Sequence, residues 1–137
     1  MYQTDYQAPE CGLTVLVVDD DARFRNVFAR RLAMDGHQVT AVPSGEAALE
    51  ALPADEWDLV CIQRRQSDPW TNRLAQRVRD YRPSCFVVLV DTATASAADE
   101  PRWAPLVDAV LPKPWVGEEL RQVLMRAEAN RTWLRAD

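Results

Sequence analysis

Apolar residues along this chain follow two alternating rhythms. Thr14-Val15-Leu16-Val17-Val18 is a β-branched run that stops at acids, and unbroken apolarity of that kind predicts a strand buried on both faces. From Arg23 to Met34 the rhythm changes, with Phe24, Val27, Phe28 and Leu32 at helical spacing and Gly36 as a stop. His37 to Val42 predicts a second strand. Pro43-Ser44-Gly45 turns the chain into a short helix, Glu46 to Leu52, which Pro53 closes. Asp58 to Ile62 predicts a third strand. Thr71 offers an N-cap for a helix through Asp80, with Leu74 and Val78 on one face and Pro83 as terminator. Phe86 to Val90 predicts a fourth strand and Ala109 to Leu111 a short fifth. Val116 to about Arg131 predicts an amphipathic last helix carrying Leu120, Val123, Leu124 and Ala127. Residues 92–107 fit no single element, because Pro101 and Pro105 confine any helix there to a couple of turns.

Five strands alternating with helices in one short chain predict an α/β domain, a parallel sheet with helices on both faces. In such sheets the functional crevice lies outside the carboxyl ends of the strands. Residues 1–10 are expected to form a disordered tail, 11–131 the domain, and 132–137 a C-terminal tail or an extension of the last helix.

Composition narrows the function classes. Sixteen Lys and Arg stand against 21 Asp and Glu in 137 residues, a formal net charge of −5. So acidic a chain is a poor match for sequence-independent nucleic-acid binding, which needs a basic surface. No apolar run reaches the roughly 20 residues a membrane helix needs. The polar start, Met1 to Glu10, lacks the basic and apolar regions of a signal peptide. The reading at this point is a cytoplasmic domain with neither nucleic-acid nor membrane partner. Cys11, Cys61 and Cys85 are far apart, no C-x-x-C occurs, and His37 is the only histidine, so a zinc site lacks its usual ligands. Cys61 and Cys85 lie beside strands and are expected to be buried, inert thiols.

The chemistry collects at two strand ends. Strand one stops at Asp19-Asp20-Asp21, either a cation-holding cluster or a solvated loop that caps the next helix. Strand five stops at Val110-Leu111-Pro112-Lys113-Pro114, a lysine on stiff backbone whose bond to Pro114 is a candidate cis peptide. Val15-Leu16-Val17-Val18-Asp19-Asp20-Asp21, Pro43-Ser44-Gly45-Glu46-Ala47-Ala48-Leu49, Trp57-Asp58-Leu59-Val60 and Leu111-Pro112-Lys113-Pro114-Trp115 together resemble the receiver domain of two-component response regulators, the CheY-like family. The resemblance covers roughly residues 13–128.

That resemblance implies a flavodoxin-like fold of strand order 2-1-3-4-5 and a phosphoryl switch in a phosphorelay. In the family an acidic pair helps hold Mg²⁺, an aspartate ending strand three takes the phosphoryl group, and a Thr or Ser ending strand four and the strand-five lysine contact it. The chemistry is that of a carboxylate nucleophile attacking phosphorus while a dication and an ammonium neutralise the oxygens. Asp19 and Asp20 match the acidic pair and the metal position; Lys113 matches the lysine.

The acceptor position does not match. Counting five residues on from Asp58 reaches Gln63, and the Thr/Ser position, 22 residues before Lys113, reaches Asp91; a slip of one gives Val90 or Thr92 instead. Arg64-Arg65-Gln66-Ser67-Asp68-Pro69-Trp70 lacks the usual Met-Pro-Gly pattern, and Val110 holds the aromatic switch position. A Gln amide forms no acyl phosphate. Removing one carboxylate also weakens a dication site by on the order of 4 kcal/mol at an effective dielectric near 20.

The expected function is therefore a non-enzymatic pseudo-receiver, independent of phosphorylation and of any cofactor, with at most weak Mg²⁺ binding. It would act on a protein partner, a histidine kinase or a downstream effector. The alternatives are a phosphorylatable receiver using Asp68 or Asp91, and an unrelated flavodoxin-like enzyme, which the lack of a Gly-rich phosphate loop disfavours. Lys113 is expected within salt-bridge distance of at least one of Asp19, Asp20 and Asp91, Asp20 or Asp91 foremost, in a relict pocket of Asp19, Asp20, Gln63, Asp91 and Lys113. Gln63→Asp should restore labelling weakly at best, because Asp91 adds negative charge where the family places a hydroxyl. Trp103, Trp115 and Trp133 fall near the family's fourth-helix, fifth-strand, fifth-helix face, expected to carry a homodimer or partner contact. Trp57 and Trp115 are expected to pack at the core or its rim. Arg64, Arg65, Arg73, Arg77 and Arg79 form either a local basic face or a solvated helix surface, and His37 is expected at the surface.

Overall fold

The structure is a computed structural model and describes residues 12–63, 70–92, 106–113, 115 and 117–135. The elements in chain order are β1 (Thr14–Val18), α1 (Ala22–Met34), β2 (Gln38–Val42), α2 (Gly45–Ala51) with a 3₁₀ turn (Leu52–Ala54), β3 (Leu59–Gln63), α3 (Trp70–Tyr81), β4 (Phe86–Thr92), β5 (Ala109–Lys113) and α4 (Gly117–Arg135). The five strands form one parallel sheet of order β2-β1-β3-β4-β5, the flavodoxin-like order.

Side chains alternate across the strands and divide the core into two layers. Val15, Val17, Cys61, Val88, Val90 and Leu111 pack with Phe28 and Leu32 of α1 and Leu120 and Leu124 of α4. Leu16, Val18, Val60, Ile62 and Val87 pack on the opposite face with Ala48 of α2 and Leu74 and Val78 of α3. This parity governs the site, because it decides which polar residues beyond the strand ends can meet.

The helix ends follow local chemistry. Asp21 caps α1, its Oδ1 accepting from the N–H groups of Arg23 and Phe24. Gly36 closes that helix at φ 95°, a left-handed turn in which the Gly36 N–H reaches Ala33 O and the His37 N–H reaches Leu32 O. Ser44 caps α2 through Ala47 N–H at 3.1 Å. Helix α3 begins at Trp70, so Thr71 lies inside its first turn and does not cap it.

His37 corrects the expectation of a surface residue. It is buried, and its Nδ1 accepts the Leu13 N–H at 3.0 Å, so the ring supplies the acceptor that β1 needs at its start. Cys61 and Cys85 are buried, and burial pushes the Cys85 thiol up to about 12 and raises Cys61 as well. Among the described residues no helix is long and apolar enough to cross a membrane.

Candidate functional site

The three consecutive acids after β1 do three different things. Asp19 still belongs to the sheet, its N–H donating to Val42 O at 3.1 Å, and it keeps the parity of Val15 and Val17. Its carboxylate is buried, accepts the Asp21 N–H at 2.9 Å and pairs with Lys113 Nζ at 3.2 Å. Burial raises this carboxyl above its ordinary value of 3.8, while the Asp21 bond and the Lys113 ammonium pull it back. Asp20 is exposed, and Asp21 is the helix cap.

Gln63 ends β3 between these groups. Its neighbours fix the orientation of the amide: the nitrogen donates to Asp20 Oδ1 at 2.8 Å and to Asp19 Oδ1 at 2.6 Å, and the oxygen accepts from Lys113 Nζ at 2.9 Å. The reverse orientation sets the amide oxygen against the acids and gains only a 3.4 Å contact from the Asp20 N–H. The arrangement is a closed loop of Asp19, the Gln63 amide and the Lys113 ammonium, with Asp20 joined to it through the amide nitrogen. Lys113 also lies 4.2 Å from the centre of the Phe24 ring, which in turn meets Phe28 at a tilt and Trp115 edge-on. That aromatic floor was not anticipated. Its signal was present in Phe24 and Phe28, one helical turn apart, and in the tryptophan two residues after the lysine.

Strand parity corrects two expectations. Lys113 meets one of the three acids as expected, but the partner is Asp19 and not the favoured Asp20 or Asp91. Lys113 shares the parity of Leu111, as Gln63 shares that of Cys61, so both fall on the face of Asp19. Asp91 is buried and follows Val87 in parity, on the opposite face. The residue facing Lys113 across the β4–β5 ladder is Thr92, while Asp91 faces Pro112. The register thus brings Thr92, one of the two one-residue slips that sequence counting left open, level with Lys113.

The remaining expectations distribute as follows. Trp57 is buried with its Nε1 donating to Leu52 O at 3.1 Å, and Trp115 packs at the rim of the α1–α4 core. Arg79 is no part of a basic face: it binds the carbonyls of Leu106, Pro83 and Cys85 and the Asp108 carboxylate. Arg73 and Arg77 are exposed, and Val110, at the aromatic switch position, is 48% exposed. Arg64, Arg65, Asp68, Trp103 and the Lys113–Pro114 bond lie outside the described residues, as does the side chain of Trp133.

These side chains do not fit a divalent metal. A hard cation seeks oxygen ligands converging on one point. Here the amide N–H₂ of Gln63 already stands between the two acids, and Asp19 faces an ammonium. Among the described residues no group of three or more His, Cys, Asp or Glu could hold a metal ion.

A doubly wound parallel sheet with an acid pair after β1 and a lysine ending β5 defines a receiver-type α/β domain. A model of the response regulator receiver domain matches residues 15–125, and the chain belongs to that family, the receiver domains of two-component signalling. It is 32% identical over 129 residues to the response regulator MprA of Mycobacterium ulcerans, spanning 92% of this chain and 54% of that protein. It is 27% identical over 135 residues to ethylene receptor 3 of Oryza sativa subsp. japonica, spanning 91% of this chain and 16% of the receptor. The chain thus spans about half the length of that regulator and a small part of the receptor. The fold also matches solved structures. One is NtrX of Brucella abortus in complex with ATP, at TM-score 0.81 and 21% identity, covering 91% of this chain and 29% of that one. Another is the response regulator TrrA of Thermotoga maritima in complex with Mg²⁺ and BeF, at TM-score 0.72 and 22% identity, covering 84% and 98%.

Proposed function

We propose that this receiver domain is a pseudo-receiver, signalling through protein contact without taking a phosphoryl group and without itself being an enzyme. One observation carries the reading: the acceptor position holds Gln63, whose amide fills the gap between Asp19 and Asp20 and hydrogen-bonds Lys113. An amide nitrogen has its lone pair delocalised into the carbonyl, and its oxygen gives no stable acyl phosphate. The N–H₂ group supports the acids where a dication would otherwise be required, and the C=O supports the lysine where phosphoryl oxygens would otherwise lie. The pocket is thereby held in one arrangement by its own side chains. Its partner would be a histidine kinase or a downstream effector, and no cofactor is needed.

A phosphorylatable receiver built on Asp91 draws no support from geometry, since that carboxylate is buried on the other face of the sheet from Lys113. Treatment with acetyl phosphate and Mg²⁺, read by intact mass, tests the proposal. The wild type should gain no phosphoryl group, and a gain mapped to any aspartate would refute the reading. Gln63→Asp should become labelled, more readily than an Asp91 in the pocket would have allowed, because Thr92 stands opposite Lys113.

A further inference from the structure

A crevice opens against the polar cluster, whose Asp19, Asp20 and Gln63 line it, between the start of α2, the first turn of α3 and the ends of β1 and β3, with a volume of about 200 Å³. Its floor is apolar: Val18, Ile62 and Leu74. Its rim carries two exposed acids, Asp20 and Glu46. Thr71 completes the wall and is only 3% exposed.

We propose that this crevice receives one arginine side chain from a protein partner. The size fits: a crevice of about 200 Å³ has room for one side chain of the seven non-hydrogen atoms of arginine. The volume falls below the ~300 Å³ at which pockets for drug-sized ligands begin. The chemistry fits as well. Apolar Val18, Ile62 and Leu74 suit the aliphatic stem, the two acids suit the charge, and the Thr71 hydroxyl accepts one N–H. A guanidinium is preferred to an ammonium because its planar fork serves several oxygens at once and is less strongly hydrated. The inference deepens the pseudo-receiver reading, since it names what a partner would present to a pocket that takes no phosphate.

The test titrates the full chain with N-acetyl-arginine amide, its neutral isostere N-acetyl-citrulline amide and N-acetyl-lysine amide, followed by backbone NMR shifts without Mg²⁺. Saturable shifts at Glu46, Ile62 and Thr71 are expected with Kd of about 1 mM, the range open to a ligand of that size. The citrulline and lysine analogues should bind at least about tenfold and threefold more weakly. Glu46→Gln should weaken binding about threefold or more. Thr71→Val should weaken it while leaving the melting temperature unchanged or higher, which a purely structural role would not do. Equal binding of citrulline or lysine, shifts confined to another surface, or no saturable shift would each overturn the proposal. Acetyl phosphate labelling separates the two ideas. A labelled wild type that binds arginine overturns only the pseudo-receiver reading, and an unlabelled one that ignores arginine overturns only the crevice.

Discussion

The two edges of the sheet use the same device to different ends. At the amino edge, Asp58 and Arg131 form a shielded ion pair at 3.4 Å with side chains 8% and 15% exposed; at the carboxyl edge, Asp19 and Lys113 pair at 3.2 Å with 3% and 12%. The amino-edge pair is tied into backbone. Asp58 Oδ2 accepts the Thr14 N–H at 2.9 Å, and the Arg131 guanidinium donates to the Gly12 carbonyl, clasping α4 to the start of β1. The carboxyl-edge pair is tied mainly to side chains, Gln63 and the ring of Phe24. A charge bound by backbone cannot be exchanged without unfolding something. A charge bound by side chains can be reassigned by a single substitution, and Gln63 is such a reassignment.

The largest effect should come from breaking the clasp. Asp58→Ala leaves Arg131 and the Thr14 N–H without this partner, and urea denaturation should show a loss of about 3–5 kcal/mol. Lys113→Ala should cost less, about 1–2 kcal/mol by the same measurement, because the Gln63 amide still supports both acids. Adding Asp19→Ala should recover part of that loss, since the cycle removes a buried charge along with its partner. If Lys113→Ala proves as damaging as Asp58→Ala, the distinction between the two edges fails.

A smaller effect separates the edges by pH. Burial lowers His37 below its ordinary 6.5, outweighing the attraction of Glu128 and Asp35, and the Leu13 N–H needs Nδ1 unprotonated. The native state therefore binds fewer protons than the unfolded chain below about pH 6.5, so His37 supports the fold above that pH. Its contribution falls away as pH drops from 6.5 through the lower native value. Asp19 has the opposite sign: its raised carboxyl makes the native state bind protons more readily, so its ionisation works against stability as pH rises through the native value. His37→Leu should flatten the stability profile just below pH 6.5 while lowering stability at pH 7, and an unchanged slope there would contradict the assignment. The smallest effect expected is on thiol chemistry: native Cys61 and Cys85 should resist a maleimide that labels them on unfolding.

The alternation of apolar runs made the five strands legible, and with them the sheet edge where Asp19, Asp20, Gln63 and Lys113 gather. Three local features resisted. His37 reads as a strand-opening polar residue, and only the tertiary fold shows that its ring caps the Leu13 amide. Lys113 reads as the neighbour of any acid at that edge, and counting along the chain cannot choose among them. Strand parity can: Val17 to Asp19, Cys61 to Gln63 and Leu111 to Lys113 are all two-residue steps, whereas Val87 to Asp91 leads to the other face. Thr71 reads as a cap because caps and first-turn residues share a composition, and only the start of α3 at Trp70 places it in the crevice wall.

The central claim is that the Gln63 amide does the work of a metal ion between Asp19 and Asp20. A Mg²⁺ titration of the wild type beside Gln63→Asp, followed by the backbone amide shifts of Asp20 and residue 63, tests it most directly. The account predicts a wild type that binds at least about tenfold more weakly than the variant, a cautious reading of one added carboxylate at a partly solvated site. A wild type that binds Mg²⁺ as tightly as Gln63→Asp would contradict it.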